Sequence, residues 1–183
     1  MSVVLETSRL LLRPWEDADA PALFSYASNP HIGLCAGWPP HTSVGNSLEV
    51  IRTVLSEPET YALVFKQTNE PVGSVGIKVK NAGNTQMREH EAEIGYWIGE
   101  PYWGRGLVPE AVHKLLSRCF EDMGCVGVWC GRFEDNIKSQ RVQEKCGFVY
   151  HHRDRVRFAA LGEVRTVVFS YLSKTSWCGQ QLR

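Results

Sequence analysis

The chain has 183 residues, 43% of them apolar, enough to bury a substantial core in one domain or at most two small ones. Its 20 basic residues balance its 20 acidic ones, which argues against a protein that grips phosphate backbones, so nucleic acid is not an expected partner. No basic segment followed by a long apolar one opens the sequence, and no window approaches the roughly 18 apolar residues of a membrane span. No membrane partner is expected, and the protein reads as unexported and cytoplasmic. The six cysteines (Cys35, Cys119, Cys125, Cys130, Cys146 and Cys178) lack C-x-x-C spacing and mostly lie in apolar runs, the pattern of free thiols in a reducing compartment with no metal.

Arg9 to Arg13 is a short apolar run ended by Pro14, and Asp17 stands where a cap would precede a helix over Ala18 to Ala27. From Asn29 to Ser43, prolines and glycines suggest an irregular, mobile loop before a helical pattern resumes over Ser47 to Leu55. Tyr61 to Phe65 and Val72 to Val79, joined by Thr68-Asn69-Glu70-Pro71, predict a hairpin. Alternation over Glu91 to Ile98 predicts a strand. From Pro109, apolar residues at helical spacing predict a helix closed by Gly124. A buried strand over Val126 to Cys130, a helix over Ser139 to Lys145 and an antiparallel pair, Phe148 to Phe158 with Val164 to Leu172, complete the order. This sequence of elements predicts a mixed sheet with helices on both faces, in one three-layer domain.

Between the strand ending at Ile98 and the next helix stands Trp103-Gly104-Arg105-Gly106-Leu107. Glycines let backbone approach an anion without a Cβ clash, and the first-turn amides and dipole of a helix favour negative charge. The turn is a candidate phosphate cradle. It is not a Walker A loop, having no G-K-[ST], nor a dinucleotide fingerprint, because Pro109 fills the third glycine position. On the turn alone, a tight strand-to-helix connection explains the glycines equally well.

Ala92-Glu93-Ile94-Gly95-Tyr96-Trp97-Ile98, then Tyr102-Trp103-Gly104-Arg105-Gly106-Leu107, then Glu110-Ala111, resembles the cofactor-binding core of the GNAT superfamily, closest to its ribosomal-protein N-terminal acetyltransferase-like branch. Asp135-Asn136-x-x-Ser139 with Glu144-Lys145-x-Gly147-Phe148 is similar to the family's next strand end and helix, and Thr7-Ser8-Arg9-Leu10-x-Leu12-Arg13 and Gly37-Trp38-Pro39 also suit the branch. The resemblance implies one domain over 1–183 with a three-layer αβα fold, built on a mixed, mostly antiparallel sheet of six to seven strands with about four helices. It implies an acetyl-CoA-dependent N-acetyltransferase, monomeric or homodimeric, acting on a primary amine of a peptide or a small molecule.

The same resemblance implies cofactor contacts from Tyr96, Trp97, Ile98, Trp103, Gly104, Arg105, Gly106, Leu107, Val108, Asn136 and Ser139. A backbone NH near Ile98 would polarise the thioester carbonyl, Glu93 (or its rival Glu91) would take the amine proton, and Ser139 would bond the thioester sulfur or cap its helix. Arg105 would assist a phosphate or stand solvated on the turn. His31 and Trp38, with His41, would line the acceptor side. The chain departs from the pattern at Trp103 and Val108, the latter larger than the usual small residue and so expected to hold the backbone off the pyrophosphate. Gln143 fills the place of a tyrosine acid. These departures leave a non-catalytic acyl-CoA-binding or regulatory module as the alternative. An acyl-cysteine intermediate is not expected, since Cys130 and Cys146 have no activating partner by spacing.

Overall fold

A computed structural model describes residues 3–79, 83 and 85–181. Eight strands follow the order β1-β2-β3-β4-β5-β6-β8-β7: β1 (Leu5–Glu6), β2 (Leu10–Arg13), β3 (Thr60–Phe65), β4 (Glu70–Val79), β5 (Glu91–Ile98), β6 (Gly127–Phe133), β7 (Val149–Phe158) and β8 (Glu163–Ser173). β5 and β6 are parallel; β1/β2, β2/β3, β3/β4, β6/β8 and β7/β8 are antiparallel. Among the described residues, six α-helices accompany them: α1 (Ala20–Ala27), α2 (Pro30–Ala36), α3 (Val44–Thr53), α4 (Leu107–Ser117), α5 (Ile137–Lys145) and α6 (Lys174–Gln181). The mixed α/β architecture agrees with the expectation, with slightly more strands and helices than predicted. No helix among the described residues is long and apolar enough to cross a membrane.

The chain divides into two compact units, Met1–Gly76 with Tyr96–Ala111, and Ile77–Gly95 with Val112–Arg183. In the first, Ala62 and Val64 of β3 turn one sheet face to α1 and α3, closing a core with Trp15, Ala20, Leu23, Ala27 and Ile51. In the second, Trp129, Phe133, Val167 and Phe169 form a core on one face of β6 and β8. The opposite face of β6 meets α5, where Gln143 Nε2 donates to Cys130 Sγ at 3.3 Å.

Three local readings need correction. Residues expected to form an irregular loop instead build α2: Asn29 Oδ1 accepts from His31 N at 2.9 Å, Pro30 opens the helix, and Gly37 closes it at φ 92°. The prolines and glycines that read as breakers are its boundaries. Asp17 does not cap α1; a 3-10 turn over Asp17–Asp19, with a capping box between Glu16 and Asp19, comes first. Asp17 instead pairs with Arg52 at 2.6 Å. Finally, α6 was not anticipated, because it is polar except for Trp177, which is 6% exposed and packed on Phe120.

Candidate functional site

The connection from β5 to α4 is held at several points. Trp103 Nε1 donates to Ile98 O at 2.9 Å, and Gly99 N donates to Val72 O at 2.7 Å. A Cβ on Gly73 would collide with the Trp97 carbonyl oxygen, so β4 can follow this path only with glycine there. After a 3-10 turn over Glu100–Tyr102, Gly104 and Gly106 take φ of 72° and 75°, and α4 begins at Leu107. For an L-residue such angles cost about 1–2 kcal/mol. Apart from its own atoms and its two chain neighbours, nothing lies within 4 Å of where a Gly104 Cβ would stand. Exposed backbone of this shape, leading into the amide end of an 11-residue helix, fits an anionic pyrophosphate.

Val108 is only 7% exposed, so its side chain packs inward. Arg105 is exposed on the turn, with its guanidinium over the rings of Phe65 and Tyr102, 4.9 and 5.3 Å from their centroids.

Glu110, in the first turn of α4, ties down the N-terminal segment. Its Oε1 accepts from Thr7 Oγ1 at 2.6 Å and Arg9 N at 2.8 Å, and its Oε2 from Arg9 Nε at 2.7 Å. Arg9 Nη1 then donates to Arg105 O between the two glycines at 2.9 Å. Burial acts to raise the Glu110 pKa, but the bonds from Thr7 and Arg9 outweigh it and hold the carboxyl below its ordinary value. Thr7 and Arg9 therefore brace the glycine turn from 96 and more residues away.

Trp97 leaves β5 to stack on Trp15, with centroids 6.4 Å apart, and meets Trp38 edge-on at 5.8 Å. Trp38 also packs against His41, whose Nδ1 lies 2.8 Å from Ser47 Oγ and whose pKa burial lowers. The structure thus brings Trp38 to Trp97. It does not bring His31 into this cluster; His31 is exposed on the first turn of α2. Tyr96 is partly exposed on β5 and Ile98 is buried.

In the second unit, Glu91 and Glu93 project from the same face of β5 and are 7% and 3% exposed. Glu91 accepts from Trp129 Nε1 at 2.9 Å, Arg88 N at 2.9 Å and Tyr171 OH at 3.2 Å. Burial would raise its pKa, yet these three donors and the Arg88 charge hold it below the usual carboxylate value. Neither Trp129 nor Tyr171 was foreseen as a partner. Glu93 is paired in register with Trp129, and its carboxylate lies against the backbone of Gly83.

At α5, the cap is Asn136 and not Ser139: Asn136 Oδ1 accepts from Ser139 N at 3.0 Å. Gln143 is 2% exposed and bonded to Cys130, so the position of the expected tyrosine acid is turned into the core. Cys146 is fully buried and its thiol is pushed up to about 12, which removes it as a nucleophile. Among the described residues, no group of three or more His, Cys, Asp or Glu is placed to hold a metal.

A braced glycine turn at a helix start, beside a strand whose end is tied to it, has the shape that receives an anionic phosphate group. Comparison with known proteins then fixes the class: the acetyltransferase (GNAT) domain pattern matches residues 9–149, and the chain belongs to that family, whose cosubstrate is acetyl-CoA. It is 32% identical over 180 residues to the uncharacterized N-acetyltransferase p20 of Bacillus licheniformis, covering 96% of this chain and 98% of p20. Its fold matches the ribosomal-protein-S5-alanine acetyltransferase of Vibrio fischeri with a TM-score of 0.72 at 18% identity, over 96% of this chain and 98% of the other. It also matches the microcin C7 self-immunity acetyltransferase MccE, solved with acetyl-CoA and AMP, with a TM-score of 0.75 at 19% identity over 91% and 93% of the two chains.

Proposed function

We propose that residues 1–183 act as one N-acetyltransferase domain that moves the acetyl group of acetyl-CoA directly to a primary amine, a peptide N-terminus before a small-molecule amine. The observation that carries the reading is the pair of left-handed glycines, Gly104 and Gly106, opening onto the amides of α4. Those amides, of Leu107 and Val108, receive the pyrophosphate. Trp103 and Arg105 hold the turn's shape through Ile98, Phe65 and Tyr102 and need not touch the phosphates.

Tyr96, Trp97 and Ile98 line the pantetheine and thioester, and a backbone NH there stabilises the oxyanion as the amine attacks the carbonyl carbon. Glu93, directly or through water, takes the ammonium proton. Glu91 is the poorer base because its carboxylate is already spent on Trp129, Arg88 and Tyr171. Asn136, its oxygen engaged in the α5 cap, offers its amide NH2 to a pantetheine carbonyl. As the C–S bond breaks, Ser139 or water returns a proton to the thiolate. Trp38, against Trp97, forms the acceptor side, with His31 at its rim.

The peptide preference draws support from the Vibrio fischeri protein, whose name specifies a ribosomal-protein alanine acceptor. Thiol release from acetyl-CoA across matched panels of N-terminal peptides and free amines tests the proposal. Turnover with peptides is expected; turnover confined to small amines would overturn the preference, and silence in both panels from protein that binds acetyl-CoA would overturn the activity.

A further inference from the structure

The end of α4 carries two thiols that the acetyl transfer does not use. A π-helical turn over Arg118–Asp122 continues the helix, Gly124 reverses the chain, and Cys125 N donates to Cys119 O at 2.9 Å. A bond that reaches back across a helix C-terminus brings the side chains at its two ends together. Here both are cysteines, 0% and 4% exposed. Through one N–H···O=C link the two Cα atoms can stand no more than about 7 Å apart, within what a disulfide spans without moving the backbone.

A cation is fixed beside the pair. Lys174, the first residue of α6, donates from Nζ to Phe120 O at 2.7 Å and from its backbone N to Val126 O at 2.9 Å, so it is held on both sides of Cys125 in sequence. We infer that Cys119 and Cys125 are a thiol–disulfide site, closed by hydroperoxide and reopened by dithiol. The bond from Cys119, followed by the charge of Lys174, outweighs burial and lowers the Cys125 thiol to about 7, where a substantial fraction is thiolate at neutral pH.

The step balances with hydrogen peroxide as oxidant. The Cys125 thiolate attacks one peroxide oxygen, the O–O bond breaks, and the departing hydroxide takes a proton to become water. Cys119 sulfur then attacks the sulfenic sulfur of Cys125, the S–O bond breaks, and a second water leaves with the Cys119 proton. Two thiols have lost one electron each to the peroxide. The remaining cysteines do not compete within the fold: Cys130 is bonded to Gln143 and Cys146 is held protonated by burial, whereas Cys35 and Cys178 are exposed.

The experiment uses full-length protein carrying Cys35→Ser and Cys178→Ser, treated with stoichiometric hydrogen peroxide and digested at acidic residues, since Glu121 and Asp122 lie between the two cysteines. The expected result is an intact mass lower by about 2 Da, with fragments containing Cys119 and Cys125 joined until dithiothreitol is added. Cys125→Ala and Cys119→Ala should each abolish the joined fragments, and Cys130→Ala should leave them. Oxygen addition without joined fragments, joining through Cys130 instead, or an unchanged mass would each overturn the site. Should either alanine variant fail to fold, the fragment map of the parent protein decides the question by itself.

Discussion

Glu91 and Glu93 are the same residue type on the same face of one strand, and their surroundings separate their roles. Glu91 is bound by three donors, so its charge orients Trp129 and Tyr171. Glu91→Gln should therefore act chiefly on stability: the amide cannot accept from all three donors at once, and the loss should be about 2 kcal/mol in a denaturant titration. Glu93→Gln should instead lower kcat by about 10²- to 10⁴-fold while leaving acetyl-CoA affinity unchanged, read by steady-state kinetics beside calorimetry. An unchanged kcat would remove Glu93 as the base. The lowered pKa values of Glu91 and Glu110 also set an acid limit. Near pH 4.5 the unfolded chain binds protons that these two carboxylates refuse in the fold, so their stabilisation is complete above that pH and is lost as pH falls through the lower folded values. Thermal melts from pH 6 down to 3 should fall less steeply for a Glu91→Gln, Glu110→Gln double variant than for the parent.

At the scale of elements, the first turn of α4 has two uses: its backbone amides open onto the proposed coenzyme site, and Glu110 holds Thr7 and Arg9. Gly106→Ala would force φ 75° on an L-residue at a cost of about 1–2 kcal/mol, and relaxation of the turn would misalign the amides. Acetyl-CoA should bind about tenfold more weakly by calorimetry, with the peptide acceptor's KM little changed. This turn was legible in the sequence because its two glycines and the start of α4 lie within five residues. The hairpin β3–β4 was legible for the same reason. Brace and carboxylate network were not, because Arg9 reaches 101 residues to Glu110 and Tyr171 reaches 80 to Glu91, distances over which residue periodicity carries no information. α2 was hidden differently: Asn29, Pro30 and Gly37 have one composition as loop residues and as caps, and only the backbone angles distinguish the two uses.

At the scale of the whole molecule, the two compact units divide the proposed machinery, the glycine turn and Trp38–Trp97 contact in one, Glu93 with Asn136 and Ser139 in the other. β5 and α4 each run through a boundary between the units, so neither strand nor helix can melt in one unit alone without exposing its own backbone bonds. One cooperative transition is therefore expected. Hydrogen exchange pulsed at a series of temperatures should give the same midpoint for peptides from Leu5–Phe65 and from Val149–Ser173. Acetyl-CoA at about 100 times its Kd should add about 2.7 kcal/mol to both, and at about 2–4 °C per kcal/mol both midpoints should rise together by about 5–11 °C. Separate midpoints, or a rise confined to the peptides of the first unit, would mean that the coenzyme site folds as a domain of its own and that the chain is not the single acetyltransferase domain proposed.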